Sequence, residues 1–192
     1  MGEAETAGEQ ANAAPQVIVV AGAPGSGKST VCGILKGRMG WPLLELGRFR
    51  EPHLDYGWTN ASAAEEGMAF DTLCYAVRNY LRHGYRTVLV TDLTPERVQD
   101  IPLAFANCTY IIVSLVLSDD AELTRRVLDP NRDSGFRWVT ATLEWNRALR
   151  ESALLPNESR VDSTSQRPEE TADAVLACIA SPRTRASPHM DG

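Results

Sequence analysis

A glycine-rich segment between an apolar run and a helical pattern constrains this chain most strongly. The strand predicted at residues 16–21 (QVIVVA) is apolar at every position after Gln16, which indicates a strand covered on both faces. The next residues read GAPGSGKST and match the pattern G-x-x-x-x-G-K-[ST], after which helical spacing begins. Glycines let a backbone wrap around an anion, and successive amides at a helix start attract negative charge. The segment is therefore predicted to bind the phosphates of a nucleotide.

The residues of this phosphate loop have separate expected roles. Lys28 is expected to reach the β- and γ-phosphates, and the Ser29 hydroxyl is expected to ligate Mg²⁺. The main-chain cradle and the first helical turn comprise Gly22, Ala23, Pro24, Gly25, Ser26, Gly27 and Thr30. A chance glycine-rich turn is the alternative, and the strand before the loop and the amphipathic segment after it argue against that alternative.

Charge and hydrophobic pattern exclude several classes of function. The chain has 25 acidic and 19 basic residues and a net charge of −6, which argues against nucleic-acid binding because that binding depends on Lys and Arg. Its longest apolar run, residues 110–117, is too short to span a bilayer, and the N-terminus has no signal-peptide pattern. A cytoplasmic protein without a membrane partner is expected. The four cysteines form no CxxC pair and are expected to be reduced.

Short apolar runs alternate with helical patterns along the body of the chain. Strands are predicted at residues 16–21, 41–46, 86–91, 110–117 and 158–162. Helices are predicted to begin at Ser62, Thr94, Asp119 and Pro168, each with a capping residue or a first-turn proline. Such alternation predicts βαβ units in a three-layer α/β fold with a parallel sheet. We expect one domain at residues 15–180, with disordered tails at residues 1–14 and 181–192.

One carboxylate is placed to assist at the phosphates. The strand VLVT ends at Asp92, on the rim where ligands of such folds bind, and this is how a metal-binding Walker B aspartate is presented. The alternative is that Asp92 only caps the turn toward Thr94. Asp119 and Asp120 follow the next strand but precede a helix, so N-capping is expected of them.

The order of these elements resembles the P-loop small-molecule kinases, which include shikimate, gluconate, nucleoside and nucleotide kinases and chloramphenicol phosphotransferase. The resemblance covers residues 16–180 and includes the segment ELTRRVL at residues 122–128, before a short arginine-bearing stretch. It implies a five-stranded parallel sheet in the order 2-3-1-4-5, with helices on both faces. It also implies MgATP as phosphoryl donor, an acceptor held by residues 45–80, and a lid at residues 129–137.

The resemblance also implies residues around ATP. Arg132 and Arg137 of the lid are the expected phosphate ligands, with Arg126 and Arg125 behind them, because closing arginines stabilise phosphoryl transfer. The loop after the last strand, including Ser165 and Arg167, would flank the adenine, and the absence of an NKxD segment favours ATP over GTP. Four residues of the helix after the lid are expected to face the core, namely Trp138, Thr142, Trp145 and Leu149.

The expected acceptor region, residues 45–58, mixes charged and aromatic side chains. Polar groups beside flat apolar surfaces suit a sugar, a nucleoside or an aromatic alcohol, although a loop that ties down the next helix can have the same composition. The candidate substrate-binding residues are Arg48, Arg50, His53, Tyr56 and Trp58. Many relatives place an aspartate where this chain has Arg48, so Glu45, Asp55 and Asp92 are the candidate bases.

These features favour a kinase that moves the γ-phosphate of MgATP to a hydroxyl of a small molecule. The acceptor classes are a nucleoside, a sugar-like metabolite and an antibiotic, the last implying a resistance enzyme. A nucleotide-dependent switch or regulatory ATPase without an acceptor is the alternative. A monomer or a homodimer is expected.

Overall fold

A single sheet of five parallel strands organises the protein, in the order β2-β3-β1-β4-β5. The computed structural model describes residues 14–55, 61–132 and 135–181. The strands are β1 (Val17–Gly22), β2 (Leu43–Glu45), β3 (Val88–Thr91), β4 (Tyr110–Val116) and β5 (Glu158–Asp162). The predicted α/β architecture and strand order are confirmed. The expected tails lie almost entirely outside the described residues.

Seven helices accompany the strands in the described part of the chain. They are α1 (Lys28–Met39), α2 (Leu46–Arg50), α3 (Ala63–Arg82), α4 (Pro95–Ala104), α5 (Asp120–Leu128), α6 (Val139–Glu151) and α7 (Pro168–Ala180). The short helix α2 was not predicted, because its sequence LGRFR has no periodicity long enough to read. The predicted lid lies between α5 and α6.

Side-chain caps define where three of these helices begin. The Ser62 hydroxyl accepts a hydrogen bond from Glu65 N at 3.2 Å, and the Thr94 hydroxyl accepts one from Arg97 N at 3.4 Å. Asp119 accepts from Ala121 N at 2.8 Å. Each bond satisfies an amide that has no partner inside the helix. The capping roles predicted for Ser62, Thr94 and Asp119 are confirmed.

The sheet separates two hydrophobic clusters. Alternate residues of β1 point to opposite faces, so Val17 and Val19 join one cluster, while Ile18 and Val20 join the other. The first cluster packs α3 and α4 on the sheet, and the second packs α1 and α7. Burial on both faces explains the continuously apolar strands. Among the described residues, no helix is long and apolar enough to cross a membrane.

The core-facing side of α6 differs from the prediction. Thr142 is buried as expected, but Trp138 is 73% exposed, and the buried residue of the next turn is Asn146. Asn146 accepts a hydrogen bond from Leu117 N at 3.0 Å and donates one to Leu117 O at 2.8 Å. The expectation for Trp138 was wrong because this residue is the N-cap that precedes α6, and its ring packs edge-on against Phe136. Asn146 is buried because it satisfies the backbone groups of Leu117 just beyond the end of β4.

Candidate active site

The candidate site lies where the carboxyl ends of three neighbouring strands meet. Thr91 at the end of β3 pairs with Val20 of β1 on one side and with Glu45 of β2 on the other. Gly22, the last residue of β1, pairs with Leu115 of β4. The phosphate loop, Glu45 and the residue after Thr91 therefore emerge on one rim, the position that open α/β sheets use for ligands.

The backbone of the phosphate loop adopts conformations that require glycine at two positions. Gly22 has a φ of 143°, and a Cβ atom there would lie 2.5 Å from Leu115 O. Gly25 has a φ of 85° and lies against Val127 of α5. Since L-residues rarely adopt these dihedral angles, the two glycines permit the loop to turn tightly above β4 and α5. The loop ends at Gly27, and α1 begins with Lys28.

Lys28 folds back over the loop that contains it. Its Nζ atom donates a hydrogen bond to Ala23 O at 2.9 Å. Burial lowers the pKa of Lys28 to about 8, the Asp92 carboxylate opposes that shift, and the Arg132 guanidinium adds to it. Asp92 and Arg132 are thus close enough to act electrostatically on this ammonium group. Three of the predicted catalytic residues converge.

Asp92 joins the end of β3 to the start of α2. Its Oδ2 atom accepts hydrogen bonds from Gly47 N at 2.9 Å and from Arg50 Nη2 at 3.2 Å. The residue has a φ of 64°, an uncommon value for a non-glycine residue that holds its half-exposed side chain over α2. A Cβ atom on Gly47 would lie 2.6 Å from the carboxylate. Asp92 therefore anchors α2 to the end of β3.

The two predicted arginines of the acceptor region are both paired with carboxylates. Arg48 is exposed and lies 3.8 Å from Glu45 Oε2 and 2.9 Å from Glu51 Oε1. The Arg50 side chain is only 12% exposed and contacts Glu66 Oε2 at 3.4 Å as well as Asp92. Glu66, in the first turns of α3, was not predicted, because no sequence spacing relates it to a partner sixteen residues earlier.

The remaining acceptor candidates lie farther along the same segment. His53 donates its backbone N–H to Arg50 O at 3.1 Å, and Asp55 is exposed. His53 and Arg50 line a cavity of about 20 Å³ together with Leu54, Ala61, Ser62, Glu65 and Glu66. Such a volume holds one water molecule at most. Tyr56 and Trp58 lie outside the described residues.

Both predicted lid arginines donate to main-chain carbonyls. Arg132 Nη1 donates to Val127 O at 3.0 Å and to Phe136 O at 3.3 Å. Arg137 donates to Phe136 O at 3.0 Å and to Asp129 O at 3.3 Å. Burial, with the nearby charge of Arg137, lowers the pKa of the Arg132 guanidinium. These two cations are held beside the phosphate loop through neutral oxygen atoms.

Arg126 connects α5 to the loop after β5. Its Nη2 atom donates to Ser163 O at 2.9 Å and to Thr164 O at 2.8 Å, and its Nε atom donates to Glu122 Oε1 at 2.6 Å. The Ser163 hydroxyl in turn donates to Ser26 O of the phosphate loop at 3.1 Å. Ser163 belongs to the loop that was expected to flank the adenine, whereas a role for Glu122 was not predicted. The spacing of Glu122 and Arg126, one helical turn apart, was a signal for their pairing.

The two other predicted residues of this loop are exposed. Ser165 has no contact that places it at a ligand, and Arg167 pairs with Glu170 at 2.9 Å at the start of α7. Arg125 also pairs with Glu122, at 2.7 Å. Among the described residues, no group of three His, Cys, Asp or Glu side chains could hold a metal ion. A divalent cation here would depend on the phosphates of a nucleotide for most of its ligands.

Comparison with known proteins finds solved structures with a similar fold. No family model matches the chain, and a search of curated proteins finds no match. A gluconokinase from Sinorhizobium meliloti 1021 matches with a TM-score of 0.63 at 17% identity, over 88% of this chain and 93% of that one. A shikimate kinase from Bacteroides thetaiotaomicron matches with a TM-score of 0.60 at 14% identity, over 85% and 98%.

The chain has the fold of the P-loop small-molecule kinases. An APS kinase from Mycobacterium tuberculosis, in complex with AMPPNP and APS, adds a match with a TM-score of 0.55 at 16% identity, over 88% of this chain and 99% of that one. The resemblance stated from the sequence is confirmed at the level of the fold. At these identities the P-loop kinase fold is what the likeness shows, and the activity is argued from the site itself.

Proposed function

We propose that the protein transfers the γ-phosphate of MgATP to a hydroxyl group of a small molecule. One observation carries the proposal: Lys28 of the phosphate loop, Asp92 at the end of the neighbouring strand β3, and Arg132 of the lid lie at one rim of a P-loop kinase fold, and Arg132 bonds to the α5 residue that packs against the loop. Phosphoryl transfer needs mainly positioning and charge stabilisation, and this rim supplies both.

The loop at residues 22–30 fits a triphosphate. Three of its glycines have positive φ angles that let the backbone turn tightly, and α1 begins at the loop with its positive dipole end. Lys28 would exchange its hydrogen bond to Ala23 O for the β- and γ-phosphates. Bound MgATP would supply the transferable phosphoryl group and a divalent charge. The Ser29 hydroxyl and the Asp92 carboxylate are the residues that would hold the metal, directly or through water.

The lid arginines would neutralise charge that develops during transfer. When Arg132 turns toward phosphate oxygens, it exchanges hydrogen bonds to the neutral carbonyls of Val127 and Phe136 for charged acceptors, which is favourable, and Arg137 would join it. A closing arginine is worth roughly 10³–10⁵ in rate in other phosphoryl-transfer enzymes. Arg126, Ser165 and Arg167 would act at the base of ATP, with Arg126 acting through the loop that it holds.

Asp92 is the favoured group for orienting the acceptor hydroxyl. It is the carboxylate that acts most strongly on Lys28, and it faces α2, which carries the candidate substrate residues Arg48 and Arg50. Glu45 and Asp55 are the other candidate bases, and His53, Tyr56 and Trp58 complete the proposed acceptor region. Deprotonation by a strong base is not required, because the transition state is largely dissociative.

The finer parts of the proposal concern the acceptor and its setting. The acceptor is a nucleoside, a sugar-like metabolite or an antibiotic, and the last would make the protein a resistance enzyme. We place the enzyme in the cytoplasm, as a monomer or homodimer that binds no nucleic acid, with residues 15–180 as its catalytic domain. Its net charge of −6 supports the absence of a polyanionic partner.

Acceptor-dependent ADP release tests the proposal. The full chain is incubated with MgATP and a library of hydroxyl compounds, and ADP is measured with and without each compound. Strong stimulation by at least one compound is expected for a kinase. Slow hydrolysis that no compound stimulates would instead support a nucleotide-dependent switch or regulatory ATPase. Absence of ATP binding would remove both functions.

A further inference from the structure

The segment from β2 to the start of α3, together with Asp92, forms the proposed acceptor side of the site and is called the acceptor wall here. It has more carboxylates than cations. The described residues of this wall are 45–55 and 61–66, which contain two arginines and no lysine, and Asp92 faces the same segment. The carboxylates of that segment are Glu45, Glu51, Asp55, Glu65 and Glu66. An acidic excess by itself identifies no ligand. The pairing of the arginines is more informative, because an acidic substrate needs a cation that is available to bind it.

Arg50 is the buried cation of this wall, and both of its terminal nitrogens face carboxylates. Nη2 lies 3.2 Å from Asp92 Oδ2, and Nη1 lies 3.4 Å from Glu66 Oε2. Arginine recognises an acid best when these two nitrogens bind both oxygens of the acid. With each of them facing a protein carboxylate, Arg50 is already neutralised before any acceptor arrives.

The other arginines around this wall are also paired. Arg48 lies between Glu45 and Glu51, with its shorter contact at 2.9 Å. Arg97, which approaches Gly67 of α3, contacts Asp100 at 2.7 Å. Every arginine that the described structure places on this wall therefore has a carboxylate partner within 4.0 Å.

Cations elsewhere in the site belong to the donor. Lys28, Arg132 and Arg137 hydrogen bond to main-chain carbonyls of the phosphate loop, α5 and the lid, and the proposed function assigns them to the triphosphate. On the acceptor side, Glu66 Oε1 is buried and has no hydrogen bond within the described structure. Within the described structure, the wall thus has a buried carboxylate oxygen without a hydrogen-bond donor and no arginine without a carboxylate partner.

We propose that the phosphoryl acceptor carries no negative charge and is an uncharged or amine-bearing alcohol. The inference rests on the proposed function and narrows its substrate class. A carboxylate, phosphate or sulfate group would have to displace Arg50 from Asp92 or Glu66 and leave a partly buried charge unpaired, which is unfavourable. Hydroxyl and ammonium groups donate to carboxylates and break no ion pair.

A charge-ranked acceptor series tests the inference. Gluconate, glucitol and glucamine share a six-carbon polyol and differ at one end as carboxylate, hydroxyl and amine. Shikimate and AMP extend the acids, inositol and thymidine extend the uncharged set, and glucosamine extends the amines. The kcat/KM for ADP release is measured with each compound. We expect the highest value from an uncharged or amine-bearing compound, with acids at least about tenfold lower.

The possible outcomes separate this inference from the proposed function. A highest kcat/KM with an acid would overturn the inference and leave the kinase proposal standing. ATP binding without stimulation by any compound would overturn the kinase proposal, and the inference would fall with it. A preference for amines over uncharged alcohols would indicate that the carboxylates of the wall bind the acceptor directly. Equal kcat/KM for amines and uncharged alcohols would indicate that the wall acts only by excluding acids.

A variant tests the role of the ion pair itself. Glu66→Gln keeps the side-chain size and removes one of the two carboxylates that neutralise Arg50. We expect kcat/KM for acids to rise by about threefold or more relative to uncharged acceptors. Glu169→Gln on the exposed start of α7 is the matched control and should leave the ratio unchanged. An unchanged ratio in a Glu66→Gln protein that unfolds at the wild-type temperature would contradict the mechanism. The wild-type ranking remains an independent test if that variant misfolds.

Discussion

The two sides of the candidate site hold their cations in different ways. On the donor side, formed by the phosphate loop, the lid and the loop after β5, Lys28 and Arg132 donate to main-chain carbonyls, whereas Arg126 also forms an ion pair with Glu122. On the acceptor side, formed by α2, the start of α3 and Asp92, Arg48 and Arg50 bind carboxylates. A cation on a neutral carbonyl can move to a phosphate at little cost, whereas a cation in an ion pair cannot. The contrast separates cations held by neutral oxygen atoms from cations already neutralised by carboxylates.

Loss of the loop lysine should have the largest effect on the donor side. Lys28→Ala removes the ammonium group that the triphosphate requires, and we expect kcat to fall by about a thousandfold. Lys36→Ala is the matched control, because Lys36 is the other lysine of the chain and is exposed on α1. Steady-state ADP release checks both variants. Wild-type turnover by Lys28→Ala would disprove the phosphate-loop assignment.

The lid is the next test of the contrast. Arg132→Ala should lower kcat by about a hundredfold with a smaller change in the KM for ATP, since the arginine acts mainly on the transition state. Arg86→Ala, an exposed arginine just before β3 at the opposite end of the sheet, should be unaffected. A large rise in KM at constant kcat would place Arg132 in ground-state binding instead.

Gly47 tests the link between the two sides. Gly47→Ala places a methyl group 2.6 Å from the Asp92 carboxylate, and we expect a loss of about 1–3 kcal/mol in the free energy of unfolding. Gly37→Ala on α1 has open space around the new methyl group and should be neutral or slightly stabilising. Denaturant unfolding compares the two variants. If Gly47→Ala weakens the binding free energy of ATP by as much as it lowers the free energy of unfolding, the donor side and the acceptor side do not behave independently.

The pH dependence of ATP binding should sharpen the account of Lys28. Because burial lowers its pKa to about 8, the ammonium group is charged below that pH and loses its proton as the pH rises through it. Affinity for ATP should therefore weaken by about tenfold between pH 7 and pH 9, since a tenfold change follows each pH unit above the pKa. Calorimetry should also detect proton uptake on binding near pH 8.5. An affinity independent of pH would contradict the lowered pKa.

The smallest expected effect concerns the loop after β5. Arg126→Lys keeps the charge but cannot span two carbonyls and Glu122, so we expect the KM for ATP to rise by about fivefold with little change in kcat. Arg125→Lys is the control, because Arg125 shares Glu122 but is exposed. Equal rises in the KM for ATP in both variants would mean that the pairing with Glu122, and not the contact with the loop after β5, determines ATP binding.

Local patterns were enough to predict much of the donor side. The phosphate loop depends on glycine φ angles and sequential amides, and the helix starts depend on caps that lie within three residues of their partners. Such interactions are visible in a sequence because the interacting groups are neighbours along it. The strand order came from the family resemblance and not from any pattern in the strands, since continuously apolar strands do not encode their neighbours.

The acceptor side was much less predictable. The partners of Arg50 lie sixteen residues away at Glu66 and 42 residues away at Asp92. The Asp92 carboxylate, which follows β3, also accepts a hydrogen bond from Gly47 N in α2. Asn146 of α6 likewise satisfies Leu117 from 29 residues away, where periodicity predicted a tryptophan. No periodic or motif signal relates such positions. Their pairing follows only from strand register and helix placement.

By itself, the sequence determined a phosphate loop, the helix starts and an alternation of strands and helices, because each is set by groups within one turn of backbone. Only the tertiary structure decided which cations are neutralised and which remain available to a substrate. That distinction depends on carboxylates brought together from α2, α3 and the end of β3, and electrostatic pairing acts through distance in space and not along the chain.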